Sequence, residues 1–149
     1  MITGGTLRNA TIALNIATAL RAKLKGAPCR AYVNNARVAL REANAGYYPD
    51  VVVDCGTYAP NALAVSKPTI VFEVLSESTR NSDFSEKLPD YRDTESVAQI
   101  VLVEPDERKL HVWTKSGETW RQTEVDGDRV LQLPSLGVAL TLEEIYEDA

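Results

Sequence analysis

At 149 residues, with 44% hydrophobic and 25% charged side chains, the chain has the makeup of one folded domain spanning 1–149 and not of a disordered, fibrous or two-domain protein. A formal net charge of −5 excludes a broad basic surface that draws in nucleic acid by phosphate neutralisation alone, so DNA contact would require a local patch. Cys29 and Cys55 show neither zinc spacing nor the density of a disulfide scaffold, which predicts two reduced, structural thiols in a cytoplasmic protein.

In the first segment Leu7, Ala10, Leu14, Ala17, Leu20 and Leu24 recur at three- and four-residue steps, with Thr6 placed to cap the start and Gly26 the end. This predicts one amphipathic helix. Asn15 interrupts its apolar run and Arg21, Lys23 and Lys25 follow it, so it is read neither as a signal peptide nor as a membrane span.

Three stretches rich in Val and Ile follow, "CRAYVNNARVAL", "YPDVVVDC" and "PTIVFEVLS". The last two are apolar at nearly every residue, as strands covered on both faces are. From Ser82 to Glu95 the chain turns polar, with Phe84, Leu88 and Tyr91 at helical spacing; Pro89 requires that helix to begin late, near Ser85, or to kink. The remainder alternates short apolar runs with turns at Pro105-Asp106, Ser116-Gly117 and Asp126-Gly127, the pattern of an antiparallel meander, and "LEEIYEDA" closes the chain as a short helix. The order predicts an α+β domain with one mixed central sheet.

Two carboxylates stand where the pattern asks for core residues: Asp50 at the mouth of "VVVDC" and Glu73 inside "TIVFEVLS". On adjacent strands they would sit side by side, and a buried carboxylate pair needs neutralising, most simply by a metal. Oxygen ligands favour Mg²⁺ or Mn²⁺, with the carbonyl of Val74 as a third ligand. The competing reading places Asp50 exposed after a Pro49 turn and Glu73 facing solvent on an edge strand.

The blocks "GGTLRNATIALNIATALRAKLKGAPCRAY", "YYPDVVVDCG", "PTIVFEVLSESTRNSDFSEKLPDYRD", "VLVEPDERKLHVW" and "LPSLGVALTLEEIYED" together resemble the Uma2 family of endonucleases, within the PD-(D/E)xK nuclease superfamily. The resemblance runs in order over nearly the whole chain. It implies a restriction-endonuclease-like mixed sheet flanked by helices, Asp50 and Glu73 as metal ligands, and a Mg²⁺- or Mn²⁺-dependent hydrolysis of DNA. The superfamily's lysine normally falls two residues after the acid, where this chain has Leu75; Lys87, in "EKLPDY", is the substitute, as in relatives whose lysine has migrated. Asp50, Glu73 and Lys87 are thus the expected catalytic residues. For Lys87 the plain alternative is a solvated lysine paired with Asp83, and for Tyr91 simple packing.

The same comparison marks departures. Family members usually open with a further strand and an acidic residue ahead of "GGT", where this chain has "MITGGT"; many carry His where it has Asn9, and often Asp where it has Asn35. These differences predict metal binding with weak cleavage. Ser78 and Arg80, in "SESTR", are candidates for phosphate contact. His111 is expected at the surface or half-buried without a catalytic role, and Trp113 and Trp120 to face each other across the "KSGE" turn as a packing pair. Two functions remain: an endonuclease acting as a homodimer on DNA, or a non-catalytic binding or assembly module on the same fold. A cleft rimmed by Lys and Arg around Asp50 and Glu73 separates them.

Overall fold

The structure is a computed structural model and describes residues 5–40, 46–76 and 84–149. Ser78, Arg80 and Asp83 lie outside the described residues. A helix α1 (Leu7–Lys23) leads into β1 (Arg30–Val33), β2 (Val38–Ala39), β3 (Gly46–Tyr47), β4 (Val51–Asp54) and β5 (Pro68–Val74). Helix α2 (Phe84–Arg92) precedes β6 (Gln99–Val103), β7 (Lys109–Ser116), β8 (Thr119–Asp126), β9 (Val130–Leu133) and β10 (Val138–Thr141), and α3 (Leu142–Tyr146) follows.

Six strands form the central sheet in the order β1-β4-β5-β6-β7-β8. Only β5 and β6 run parallel, as the intervening α2 requires, since a parallel pair needs a crossover connection. The sheet is therefore mixed, as expected. Every residue of β4, β5 and β6 is buried, which is why those runs lack polar alternation. Two small hairpins, β2–β3 and β9–β10, stand apart from this sheet. The stretch "CRAYVNNARVAL" is thus two strands and not one, broken where Ala36 N–H donates to the Val33 carbonyl at 2.9 Å. The meander likewise leaves the sheet after β8.

Alternation along the strands sends side chains to two cores. Val51, Val53, Ile70, Phe72, Val101 and Val103 pack with α1, the β9–β10 hairpin and α3. Val52, Val71, Leu75, Ile100 and Leu102 pack with Tyr91 of α2 on the opposite face.

Thr6 caps α1, its hydroxyl accepting the Asn9 N–H at 3.1 Å, and Gly26 beyond its end adopts φ +78°, the conformation that favours glycine there. The buried stripe, however, is Ile12, Ile16 and Leu20, while Leu7 and Leu14 are 87% and 64% exposed. The four-residue step from Ile12 aligns with the sheet and is filled out by Ala13, Ala17 and Leu24, so the later half of the expected stripe packs while Leu7 and Leu14 turn outward. In α2, Pro89 lies inside the helix.

Cys29 and Cys55 are joined in a disulfide, which corrects the reading of two reduced thiols. Antiparallel pairing of β1 with β4 sets Arg30 opposite Asp54 and so brings the two flanking cysteines together, a proximity that sequence spacing does not reveal. Trp113 pairs with Gln122 and Trp120 with Lys115, so the tryptophans are diagonal neighbours on one face and not direct partners. Both pack against the α2-side core. Among the described residues no helix is long and apolar enough to cross a membrane.

Candidate active site

The register of β4 against β5 pairs Val51 with Phe72 and Val52 with Val71. One step further, Asp50 falls opposite Glu73. Because side chains alternate, Asp50 shares the face of Val52, and Glu73 that of Val71 and Leu75, which is the face packed by α2. The two carboxylates therefore meet on one side of an interior strand pair. Glu73 is only 8% exposed, and β5 lies between β4 and β6, so it occupies no solvent-facing edge.

Asp50 follows a buried Pro49 and turns its Oδ2 onto the N–H of Val74, which donates at 2.7 Å. The Val74 amide is thus the group that fixes Asp50. Burial holds the Asp50 carboxyl above its ordinary value, opposed by that N–H and by the charge of Lys87. Burial raises Glu73 further, to about 7, against the attraction of Lys87; the nearby Asp50 charge adds to the rise and a Tyr91 hydrogen bond opposes it. Desolvation outweighs the ammonium here because the carboxyl is nearly sealed from water.

Helix α2 supplies the remaining groups. Lys87 Nζ stands 3.6 Å from Glu73 Oε2 and 5.4 Å from the centre of the Tyr47 ring. One turn on, at the i+4 spacing that shares a helix face, fully buried Tyr91 donates its hydroxyl to Glu73 Oε2 at 3.0 Å. Burial, then the Glu73 charge, push the Tyr91 phenol far up, so it remains a donor at any ordinary pH. Tyr47 packs edge-on against Tyr91, with centroids 5.4 Å apart, and donates its hydroxyl to Asp90 at 2.5 Å. The lysine is thus held to Glu73 from a helix that the β2–β3 hairpin clamps in place. Sequence reading treated Tyr91 as packing and passed over Tyr47; the Lys87–Tyr91 spacing was the available signal for the first, and nothing local marks the second.

Asn9 lies close to this site. Its side-chain amide donates to the Leu75 carbonyl at 3.1 Å, tying α1 to the chain two residues beyond Glu73. Asn35, by contrast, is exposed in the turn after β1. His111 sits on the same sheet face as Glu73, two strands away through Leu102, about 10 Å across the sheet. Its ring lies between Glu104, 2.8 Å from Nε2, and Glu124, 3.3 Å from Nδ1, and it is one-fifth exposed.

Among the described residues no group of three or more His, Cys, Asp or Glu side chains gathers as a metal cluster. A pair of carboxylates with water and main-chain oxygen suits a hard, hydrated cation and not a closed zinc cage.

A model of the Uma2 family, described as "Putative restriction endonuclease", matches residues 1–143. The uncharacterized protein sll1609 of Synechocystis sp. is 24% identical over 131 residues, covering 85% of this chain and 74% of that protein. A crystal structure of "a putative nuclease belonging to DUF820" from Anabaena variabilis superposes with a TM-score of 0.74 at 17% identity, over 98% of this chain and 82% of that one. The fold is therefore nuclease-like, and with a family match over nearly its whole length, the chain belongs to the Uma2 family.

Proposed function

We propose that this chain, acting as one unit over 1–149, is a metal-dependent endonuclease that hydrolyses phosphodiester bonds in DNA at Asp50, Glu73 and Lys87. The observation that carries the reading is the facing pair of buried carboxylates with an ammonium group 3.6 Å from one of them. Asp50 and Glu73, with the Val74 carbonyl, would hold Mg²⁺ or Mn²⁺. The raised Glu73 carboxyl fits such a site, because a nearby cation supplies the charge that burial withholds. When bound, the metal would lower the pKa of an attacking water and offset charge on the phosphate.

The protein's own groups do the rest. Tyr91 fixes the rotamer of Glu73, and the Val74 N–H fixes Asp50. Lys87 brings a positive charge to the place where the phosphate oxygens become more negative, and its position is set in advance by Glu73 and Tyr47. Asn9 holds the end of β5 through Leu75 and offers no acid or base, which supports slow turnover. Action on two strands of a duplex further suggests a homodimer, and a DNA substrate suggests a cytoplasmic setting. Sedimentation at high concentration and fractionation of cells test these two extensions.

The same Asn9, together with the net charge of −5, favours the second reading, a binding or assembly module that kept the nuclease fold. A plasmid-nicking assay separates the two. Slow nicking that requires Mg²⁺ or Mn²⁺ and is abolished in Asp50→Asn supports the endonuclease; equal residual nicking by wild type and Asp50→Asn supports the module.

A further inference from the structure

The sheet face that carries Asp50 and Glu73 also carries a cavity of about 320 Å³ toward β1, with Tyr32, Asn35, Asp54, Tyr58 and Leu63 among its lining. Its volume lies at the small end of ligand sites, the size that takes a single ring system. Tyr32 pairs with Val52, which shares a face with Asp50 two residues earlier. The cavity thus begins about 7 Å along the strand and about 5 Å across it from the carboxylate pair.

The lining is firmly set. Asp54 accepts the N–H groups of Gly56 and Lys67 at 2.9 Å each and of Ser66 at 3.4 Å, which pins both ends of the loop over the cavity. At Gly56 the two ends approach so closely that a Cβ there would lie 2.0 Å from Ser66 Oγ. Tyr58 is half exposed, and the Arg30 guanidinium stacks 3.7 Å from its ring centre, so the ring already takes one planar group and still has surface open to solvent. Asn35 contributes an amide with both donor and acceptor capacity. Arg37 also lines the cavity, and the Asp54 oxygens are already engaged by main-chain N–H groups; a flat heterocycle with hydrogen-bonding edges suits the aromatic faces beside the Asn35 amide.

We propose that this cavity is a nucleobase pocket that receives an unpaired base beside the hydrolytic site, stacked on Tyr58 and read along its edge by Asn35. The proposal rests on the endonuclease reading for the origin of the base, with free mononucleotide as the other source of the same chemistry.

Fluorescence anisotropy on the full chain tests it, comparing a short single-stranded DNA with an abasic oligonucleotide of equal length, and with fluorescently labelled adenosine monophosphate as a separate probe. Wild type is expected to bind the base-bearing strand roughly tenfold more tightly, in line with stacking of one base. Tyr58→Ala and Asn35→Ala, both at exposed positions, are expected to shrink that preference to less than about twofold while leaving affinity for the abasic strand unchanged. Saturable binding of the labelled adenosine monophosphate, with no binding of either oligonucleotide, would support the pocket and assign it to free nucleotide. Equal affinity for both strands, or a preference that survives both substitutions, would overturn the pocket while leaving metal-dependent nicking untouched. Failure of every probe to bind overturns it as well, and loss of nicking in the same preparation would then remove the endonuclease reading separately.

Discussion

Enclosed beneath α2, the Glu73 carboxyl is raised to about 7 from 4.5, and this has a definite consequence for stability. A carboxyl whose folded value lies above its unfolded value costs nothing while protonated in both states, below pH 4.5. As pH rises through the window from 4.5 to 7 the unfolded chain loses its proton first, so stability falls, by about 3 kcal/mol at most. Metal-free Glu73→Gln is therefore expected to match wild type in denaturant midpoint near pH 4.5 and to exceed it near pH 8. Parallel curves at both pH values would show that Glu73 is not held protonated by its surroundings. Tyr91→Phe removes a donor from this nearly buried acid and should cost about 1–3 kcal/mol, read from the urea midpoint. His111→Ala, at a site two strands away, should leave nicking within about twofold. At this scale the acids were legible because each interrupts an apolar run, and Lys87 because of the family resemblance. The Tyr91 hydroxyl was not, since a tyrosine at helical spacing looks the same whether it packs or donates. The bond from Asn9 to the Leu75 carbonyl joins residues 66 apart and leaves no local mark.

Elements were legible where burial is uniform and obscure where register decides. The apolar runs of β4 and β5 announced central strands, and the turn at Ser116-Gly117 placed the β7–β8 hairpin, with Gly117 at φ +65° as a tight turn led by glycine requires. The face of α1 was misread only in its first half, where leucine and isoleucine rows both satisfy helical spacing and the sheet beneath chooses between them; Ala17, Leu20 and Leu24 of the expected stripe do pack. Leu14→Glu, on the exposed row, is therefore expected to change stability by no more than about 0.5 kcal/mol, whereas Ile16→Ala should cost about 2–5 kcal/mol, both measured by chemical denaturation. In α3 the Thr141 hydroxyl accepts the Glu144 N–H at 3.0 Å while Glu144 accepts the Thr141 N–H at 2.9 Å, a reciprocal cap. Glu144 also pairs with Lys23 of α1 at 3.2 Å, so the last helix is fastened to the first.

Across the whole molecule, one sheet separates two cores: Asp50, Glu73 and Lys87 gather on the α2 side, while α1, the β9–β10 hairpin and α3 pack the other. The Cys29–Cys55 disulfide, spanning 26 residues, staples β1 to β4 at the end remote from Asp50. Closing a loop of that length stabilises by roughly 3 kcal/mol through the unfolded chain, so reduction should lower the thermal midpoint; an unchanged midpoint would mean that the pairing contributes nothing in solution. Metal affinity concentrates the whole account, because it depends on β4–β5 register, burial and the α2 clamp together. Calorimetric titration of Mn²⁺ into wild type, Asp50→Asn and Glu73→Gln at pH 8 tests it most directly. One site per chain in wild type, weakened at least about tenfold in each variant, is the predicted result; no binding by wild type, or equal binding by all three, would contradict the assignment of Asp50 and Glu73 as the metal site.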